Sequence, residues 1–339
     1  MSRKSPPNNP PTSERERIAK VIARAGLASR REAETWIAEG RVKVNGEVLK
    51  TPAVTVSAPD KIEVDGKPLP VRERTRLFLY NKPKGLVTTN SDPEGRPTIF
   101  QNLPPDLPRL VSVGRLDINS EGLLLLTNDG GLSRTLELPA TGWLRRYRVR
   151  ANGRTDQAAL NKLKGGVTVE GVQYGRVEAT LDREQGANLW LTVGIREGKN
   201  REVRKVLAHI GLKVNRLIRI SFGPFQLGEL EPGKVEEVPT RVLREQIGGE
   251  LEKSSHSDFD APLREREKIS QGKKEKFTGN PDRNPTRRDG KKEAASGDRK
   301  KKNFSVERKT REEAPREPRR KSKRPFRAPM RKDKPRGKR

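Results

Sequence analysis

A carboxylate, Asp117, stands two residues after Arg115 and shortly before a run of four leucines in GRLDINSEGLLLLTNDG, residues 114–130. A carboxylate beside an arginine at the mouth of an apolar segment is either an ion pair closing the end of a strand or helix, or a reactive group held by a counter-ion. Two further segments carry unusual polar groups. They are Arg146-Tyr147-Arg148-Val149 and EGKNREVRKVL, residues 197–207, which contains Lys199, Arg201 and Arg204. Taken singly they read as a strand tyrosine and an amphipathic basic helix. Metal chemistry has little to draw on: the chain has no cysteine, and its two histidines, His209 and His256, are far apart, so no metal site is expected.

Those residues need a frame, and composition says how much of the chain can supply one. Charged residues make up 35% of the 339 and hydrophobic ones 30%, too polar for one packed globule. The shortfall is local. Residues 251–339 carry 32 Lys+Arg against 15 Asp+Glu with few large apolar side chains, and are expected to form a disordered basic tail. Residues 1–12, rich in Pro and Asn, are expected to be a disordered leader. The remainder holds nearly all the Leu, Val and Ile, enough for about two domains. A formal net charge of +29 makes a polyanion the natural partner. No apolar segment approaches the roughly 20 residues of a membrane span, and the N-terminus lacks the apolar centre of a signal peptide. A soluble cytoplasmic protein, monomeric and without a membrane partner, is expected.

The first domain is expected over residues 13–72. Ser13 and Glu16 have the spacing of a capping box, followed by Ile18, Val21, Ile22 and Ala25 at helical intervals and Gly26 as a stop. Ser29 and Glu32 repeat the spacing before Ala33, Trp36 and Ile37. RVKVNGEVL and KIEVDGKPL then each place alternating apolar residues before Asn-Gly or Asp-Gly, pairs that close tight hairpins. The result is a helix pair plus short strands, with Arg30, Arg31, Arg41 and Lys43 clustered where they could meet phosphates.

The second domain, residues 76–245, opens with LFLYNKPKGLVTT, an apolar strand turning through Lys82 to Gly85. Segments 147–150, 177–180, 189–193 and 216–220 have strand composition or alternation, and helices are expected at 156–164 and 201–210. Regular helices do not separate the strands, so the fold class is α+β with a mainly antiparallel mixed sheet.

LASRREAETWIAEGRVKVNGEVL resembles an S4 RNA-binding domain. Further along, KPKGLVTT, GRLDINSEGLLLLTNDG, YRVR, REGKNREVRKVL and RLIRISFGPFQLGELEPG resemble, in this order, the motifs of pseudouridine synthases. The likeness is closest to the RsuA/RluB group, in which an S4 domain precedes the catalytic domain, and it spans about residues 14–243. Glu202 and Lys205-Val206 depart from it, standing where that group often has Gln and Arg-Met.

The resemblance implies isomerisation of uridine to pseudouridine in RNA without a cofactor. The bond between C1′ and N1 is cut, the freed base turns, and C5 joins C1′ while water is kept out. By the same resemblance Asp117 is the essential aspartate, acting as nucleophile at C1′ or as base at C2′. Arg204 is the arginine that pairs with it, Tyr147 stacks on the uracil and assists loss of the C5 proton, and Arg115 fills the place of the flipped-out uridine. Lys199 and Arg201 join the RNA contacts, and the leucine run is buried support. The basic tail likens the chain most to enzymes of 23S rRNA acting near the peptidyl transferase centre, with ribosomal RNA or pre-ribosomal particles as partner and ribosome biogenesis as the process. A 16S rRNA target stays open, as does a non-catalytic RNA-binding assembly factor.

Overall fold

The computed structural model describes residues 15–263, so the expected leader and most of the expected tail lie outside the described residues. The described residues open with β1 (Glu16–Arg17), α1 (Ile18–Arg24), α2 (Arg30–Ala38), β2 (Val42–Val44), β3 (Glu47–Val48), β4 (Thr55–Val56), β5 (Ile62–Val64) and β6 (Lys67–Pro68). Ser29 caps α2 as its spacing predicts: its hydroxyl accepts from Glu32 N, and the Glu32 carboxylate accepts from Ser29 N. The first capping box does not form at Glu16. That residue is extended in β1, paired with β4, and its carboxylate takes Lys20 and Arg24 at 2.6 and 2.8 Å, leaving α1 without a side-chain cap. Asn45-Gly46 and Asp65-Gly66 all have positive φ, as type I′ turns demand, and close the four-stranded sheet β3-β2-β5-β6. Ile18, Ile22, Ala33 and Ile37 from the helices pack with Val42 and Val64 of that sheet.

The rest follows as β7 (Leu77–Lys82), β8 (Val111–Ser112), β9 (Glu121–Thr127), α3 (Gly130–Glu137), β10 (Arg145–Asn152), α4 (Gln157–Lys162), β11 (Val167–Val169) and β12 (Val172–Tyr174). Next come β13 (Val177–Gln185), β14 (Asn188–Ile195), α5 (Glu202–His209), β15 (Lys213–Phe222), β16 (Phe225–Gln226), β17 (Val235–Val238) and α6 (Thr240–Ser255). A nine-stranded sheet runs β13-β14-β10-β15-β9-β7-β17, with β16 on β15 and β8 on β9. Every pairing along that path is antiparallel except β9 with β15. This is the α+β frame with a mainly antiparallel mixed sheet that the strand pattern predicts.

The four leucines are the middle of β9. Leu123 to Leu126 are all fully buried, Leu124 and Leu126 in the cluster that holds Tyr147, Leu123 and Leu125 in the cluster on the other face. A strand covered on both faces is apolar without alternation, which explains the run. Gly122, just before it, has φ 97°, and a Cβ there would collide with the Arg219 main chain on β15. The parallel seam therefore needs glycine at that point.

The helices α3 and α6 have no counterpart in the sequence expectation. The tail expected from residue 251 also begins too early. Helix α6, broken by a kink at Gly248, continues to Ser255, Phe259 is buried with Leu243 and Ile247, and Thr75 N donates to Asp258 O at 2.7 Å. Phe259 and the bonds from Arg72, Arg74 and Thr75 to this stretch hold it against the core, and composition averages over such local contacts.

Candidate active site

Asp117 lies in the turn between β8 and β9, at the end of the parallel seam where Glu121 and Gly122 pair with Ile218 and Arg219. The turn is held through its main chain. Each carbonyl from Leu116 to Ser120 accepts a hydrogen bond: Leu116 O from the Thr88 hydroxyl (2.9 Å), Ile118 O from Gly85 N (2.8 Å) and Asn119 O from Arg204 Nη2 (3.0 Å). Asp117 O and Ser120 O both accept from Lys82 Nζ, at 3.2 and 3.1 Å, and Pro83 O takes the same ammonium at 3.1 Å. Lys82 is fully buried, and burial pushes its pKa down to about 8 against the pull of Asp117 and Glu121. The segment KPKGLVTT thus holds the backbone of GRLDINS. Buried main-chain carbonyls need donors, and here sequence motif and hydrogen-bond demand coincide.

With its backbone fixed, the Asp117 side chain is a quarter exposed and meets Arg201 Nη1 at 3.6 Å. Arg201 occupies the N-cap position of α5 in the left-handed region, at φ 51° and without a side-chain capping bond, a backbone conformation that costs a non-glycine residue about 1 kcal/mol or more. Arg204, expected to pair with Asp117, is placed differently. It stands one turn further along α5, and its Nη1 and Nη2 donate to Val214 O and Asn119 O. Burial and neighbouring Arg201 lower its pKa, while Asp117 opposes them. Arg204 therefore reaches Asp117 through the turn's main chain, and the ion pair goes to Arg201.

A cleft of about 520 Å³ opens beside Asp117. Its floor is sheet: Tyr147 and Arg145 from β10, Leu217 and Arg219 from β15. Tyr147 is 8% exposed, and Arg115 is exposed at the rim. The wall opposite Asp117 is the stretch Glu197 to Glu202. There Glu197 accepts from Gly175 N at 2.6 Å and pairs with Lys199 at 2.7 Å, and Lys199 also donates to Gln173 O. Glu197 stays below the usual carboxylate range: burial works against this, and the bonds from Lys199 and Gly175 outweigh it. Glu202 is buried, accepts from Lys199 N at 2.9 Å, and is pushed up to about 7, by burial first and by Glu197 beside it, against the opposing bond from Lys199 N.

The cleft thus brings Asp117, Arg115, Tyr147, Lys199 and Arg201 together, with Arg204 behind its wall. Arg30, Arg31, Arg41 and Lys43 lie on α2 and around β2, away from it. Arg30 and Arg31 are exposed, whereas Arg41 holds Asp65 with two bonds of 2.8 and 2.7 Å and lies over the Trp36 ring. That engagement takes Arg41 out of the set of open cations. Sequence reasoning missed Arg145, Glu202 and Arg219, which line the cleft, and Lys82, which holds the turn behind it. The alternation in RRYRV does place Arg145 on the face of Tyr147, and that signal was there to be used.

Residues 16–68 match the S4 domain family, and residues 76–209 match the RNA pseudouridylate synthase family. An uncharacterized RNA pseudouridine synthase of Rickettsia felis is 44% identical over 228 residues, covering 67% of this chain and 99% of the relative. The chain belongs to the RNA pseudouridine synthase family. The ribosomal large subunit pseudouridine synthase B of Pseudomonas aeruginosa is 42% identical over 253 residues, covering 71% of this chain and 65% of that protein. A crystal structure of a pseudouridylate synthase, 29% identical, covers 71% of this chain and all of its own, with a TM-score of 0.49.

This pseudouridine synthase is accordingly an RNA-binding isomerase of uridine, with an S4 domain ahead of its catalytic domain. Among the described residues no group of three or more His, Cys, Asp or Glu is placed to hold a metal ion, and no helix is long and apolar enough to cross a membrane.

Proposed function

We propose that this enzyme isomerises one uridine of ribosomal RNA, in 23S rRNA near the peptidyl transferase centre, with Asp117 as its essential carboxylate. The observation that carries the site assignment is the turn 116–120, whose carbonyls are all bonded, presenting Asp117 at a cleft floored by Tyr147. Fixing the main chain fixes where the carboxylate points before substrate arrives, so little reorganisation is left to the reaction. The target uridine is flipped from its stack into the cleft, Arg115 fills the space it leaves, and Tyr147 lies against the uracil and assists loss of the C5 proton. Asp117 attacks C1′ or takes the C2′ proton. Arg201 pairs with it at 3.6 Å, and Arg204 keeps its turn in place. Lys199 and Arg201 at the cleft, with Arg30, Arg31 and Lys43 on the S4 domain, meet phosphates.

The ribosomal target is supported by the likeness to the large-subunit enzyme of Pseudomonas aeruginosa and by the basic charge of the chain. A monomer working in the cytoplasm on rRNA or pre-ribosomal particles fits this reading. The reading is tested by mapping pseudouridines in rRNA from a strain lacking the gene. Loss of one site in 23S rRNA is expected. Loss in 16S rRNA would redirect the target, and an unchanged map would contradict the assignment.

A further inference from the structure

Two guanidinium groups on the cleft floor have no assigned work. Arg145 and Tyr147 point to one face of β10, and Arg219 is the cross-strand neighbour of Tyr147 on β15. Arg145 is 6% exposed and Arg219 3%. Both lie over the ring of Phe222, at 4.6 and 5.0 Å from its centroid. Carbonyls take part of their hydrogen-bonding capacity: Trp143 O and Arg196 O accept from Arg145 Nη1, and Leu123 O accepts from Arg219 Nε. Arg219 Nη2 is buried with no partner. Among the described residues no carboxylate comes within 4.0 Å of either, and burial holds Arg145 below its ordinary pKa. Glu202, one of the acids that Arg145 senses, itself holds a proton up to about pH 7.

Tyr147, Glu202 and Glu137 act on Arg145 only from beyond contact distance; burying two cations side by side with no carboxylate in contact is unfavourable, and such an arrangement suits a site where an anion is to be met. We propose that Arg145 and Arg219 form a subsite for the uracil ring as the anion it becomes when C1′–N1 breaks. The inference rests on the assignment of Asp117 and Tyr147 above. On either route the base leaves with the bonding pair. If an Asp117 oxygen bonds to C1′, the C1′–N1 electrons go to N1. If Asp117 takes the C2′ proton, the C2′–H pair becomes the C1′–C2′ double bond and the C1′–N1 pair again goes to N1. The resulting monoanion spreads its charge over N1, O2 and O4. It must stay in the cleft while it turns to present C5, so diffuse attraction from two planar cations suits it better than one fixed hydrogen bond. A backbone phosphate is the weaker candidate for this place. Phosphates have Arg115, Lys199 and Arg201 at the exposed rim, while the floor adjoins the tyrosine face that takes the base.

The test compares single-turnover rates on RNA carrying uridine or 5-fluorouridine at the target, with the full chain and enzyme in excess. Consumption of the N-glycoside is read by chromatography of the digested nucleosides. Fluorine withdraws electrons and makes the ring a better leaving anion, so it needs less help. Arg145→Gln is expected to slow the uridine substrate about 100-fold and the 5-fluorouridine substrate distinctly less, with Arg145→Lys in between. Equal slowing of both substrates, or no slowing, would overturn the subsite. Should Arg145→Gln fail to fold, Arg219→Lys is put through the same comparison with the same criterion. Asp117→Asn serves as the separate control: activity in that variant would sink the site assignment itself, whereas its inactivity together with a fluorine-independent Arg145→Gln defect would sink only the subsite.

Discussion

On one side of the cleft the turn carrying Asp117 is held by neutral carbonyls bonded to Lys82, Gly85, Thr88 and Arg204. On the other, Glu197 to Glu202 is held by two carboxyl groups, one charged and one protonated near neutrality. Carbonyl acceptors do not titrate, and their buried donor Lys82 gives up its proton only near pH 8, so the first wall keeps its bonds below that pH. The second depends on a single proton. Buried carboxyls that approach each other cannot both ionise cheaply, so the loss of that proton sets two like charges beside each other under Lys199 and Arg201. The carboxylate proposed to react thus stands on the rigid wall, and the cations proposed to meet RNA stand on the adjustable one.

Among changes to the supports of the two walls, the largest expected effect comes from attacking the rigid one. Lys82→Met removes the donor of Pro83 O, Asp117 O and Ser120 O together. Activity should fall about 100-fold, the scale of a misplaced reacting group, with stability lower by about 2 kcal/mol after the relief of burying an ammonium. Denaturant unfolding and single-turnover rates read the two effects separately. Near-normal activity would mean that the turn keeps its shape without the lysine.

A smaller effect separates the two arginines of α5. Arg204→Ala unties Asn119 O from the buried side and should cost about tenfold in rate, matching the loss of one charged hydrogen bond. Arg201→Ala breaks only a half-exposed pair at 3.6 Å and should cost about threefold, in keeping with a weak, solvent-screened interaction. Reversal of that order would restore direct pairing as the dominant support of Asp117.

How much of this the sequence discloses differs by element. Asn45-Gly46, Asp65-Gly66 and the Ser29 to Glu32 box name their turns and cap because local backbone demands decide them. The four leucines announce a strand covered on both faces. Helix α3 stays hidden because it opens on Gly130-Gly131 after Asn128-Asp129, which reads as a turn, and α6 because Gly248-Gly249 interrupts its pattern. Asp117 and Tyr147 are legible through the strings around them. Lys82, Arg145 and Arg219 are not, since a buried cation looks like any other among 74 Lys+Arg. The choice between Arg201 and Arg204 turns on the left-handed backbone of Arg201, which residue spacing on a helix does not encode.

The subtlest prediction concerns the adjustable wall. Glu202 keeps its proton to about pH 7 in the folded chain, whereas an unfolded glutamate loses it near 4.5. Between those values the folded chain binds more protons, so this group's contribution to stability declines as pH rises from 4.5 to about 7. Glu202→Gln has no proton to lose. Its Tm should change less than wild type between pH 5 and pH 8, and its activity should persist further above pH 7. Parallel profiles for the two proteins would show that the Glu197 and Glu202 pair does not govern this wall.

Asp117 is the residue on which the proposed chemistry depends. Tritium release from RNA labelled at C5 of uridine reads the isomerisation itself, because the C5 hydrogen leaves only when C5 has joined C1′. Wild-type protein is predicted to release the label, and Asp117→Asn, shown to be folded and to bind the same RNA, is predicted to release none. Comparable release by Asp117→Asn would contradict the central claim.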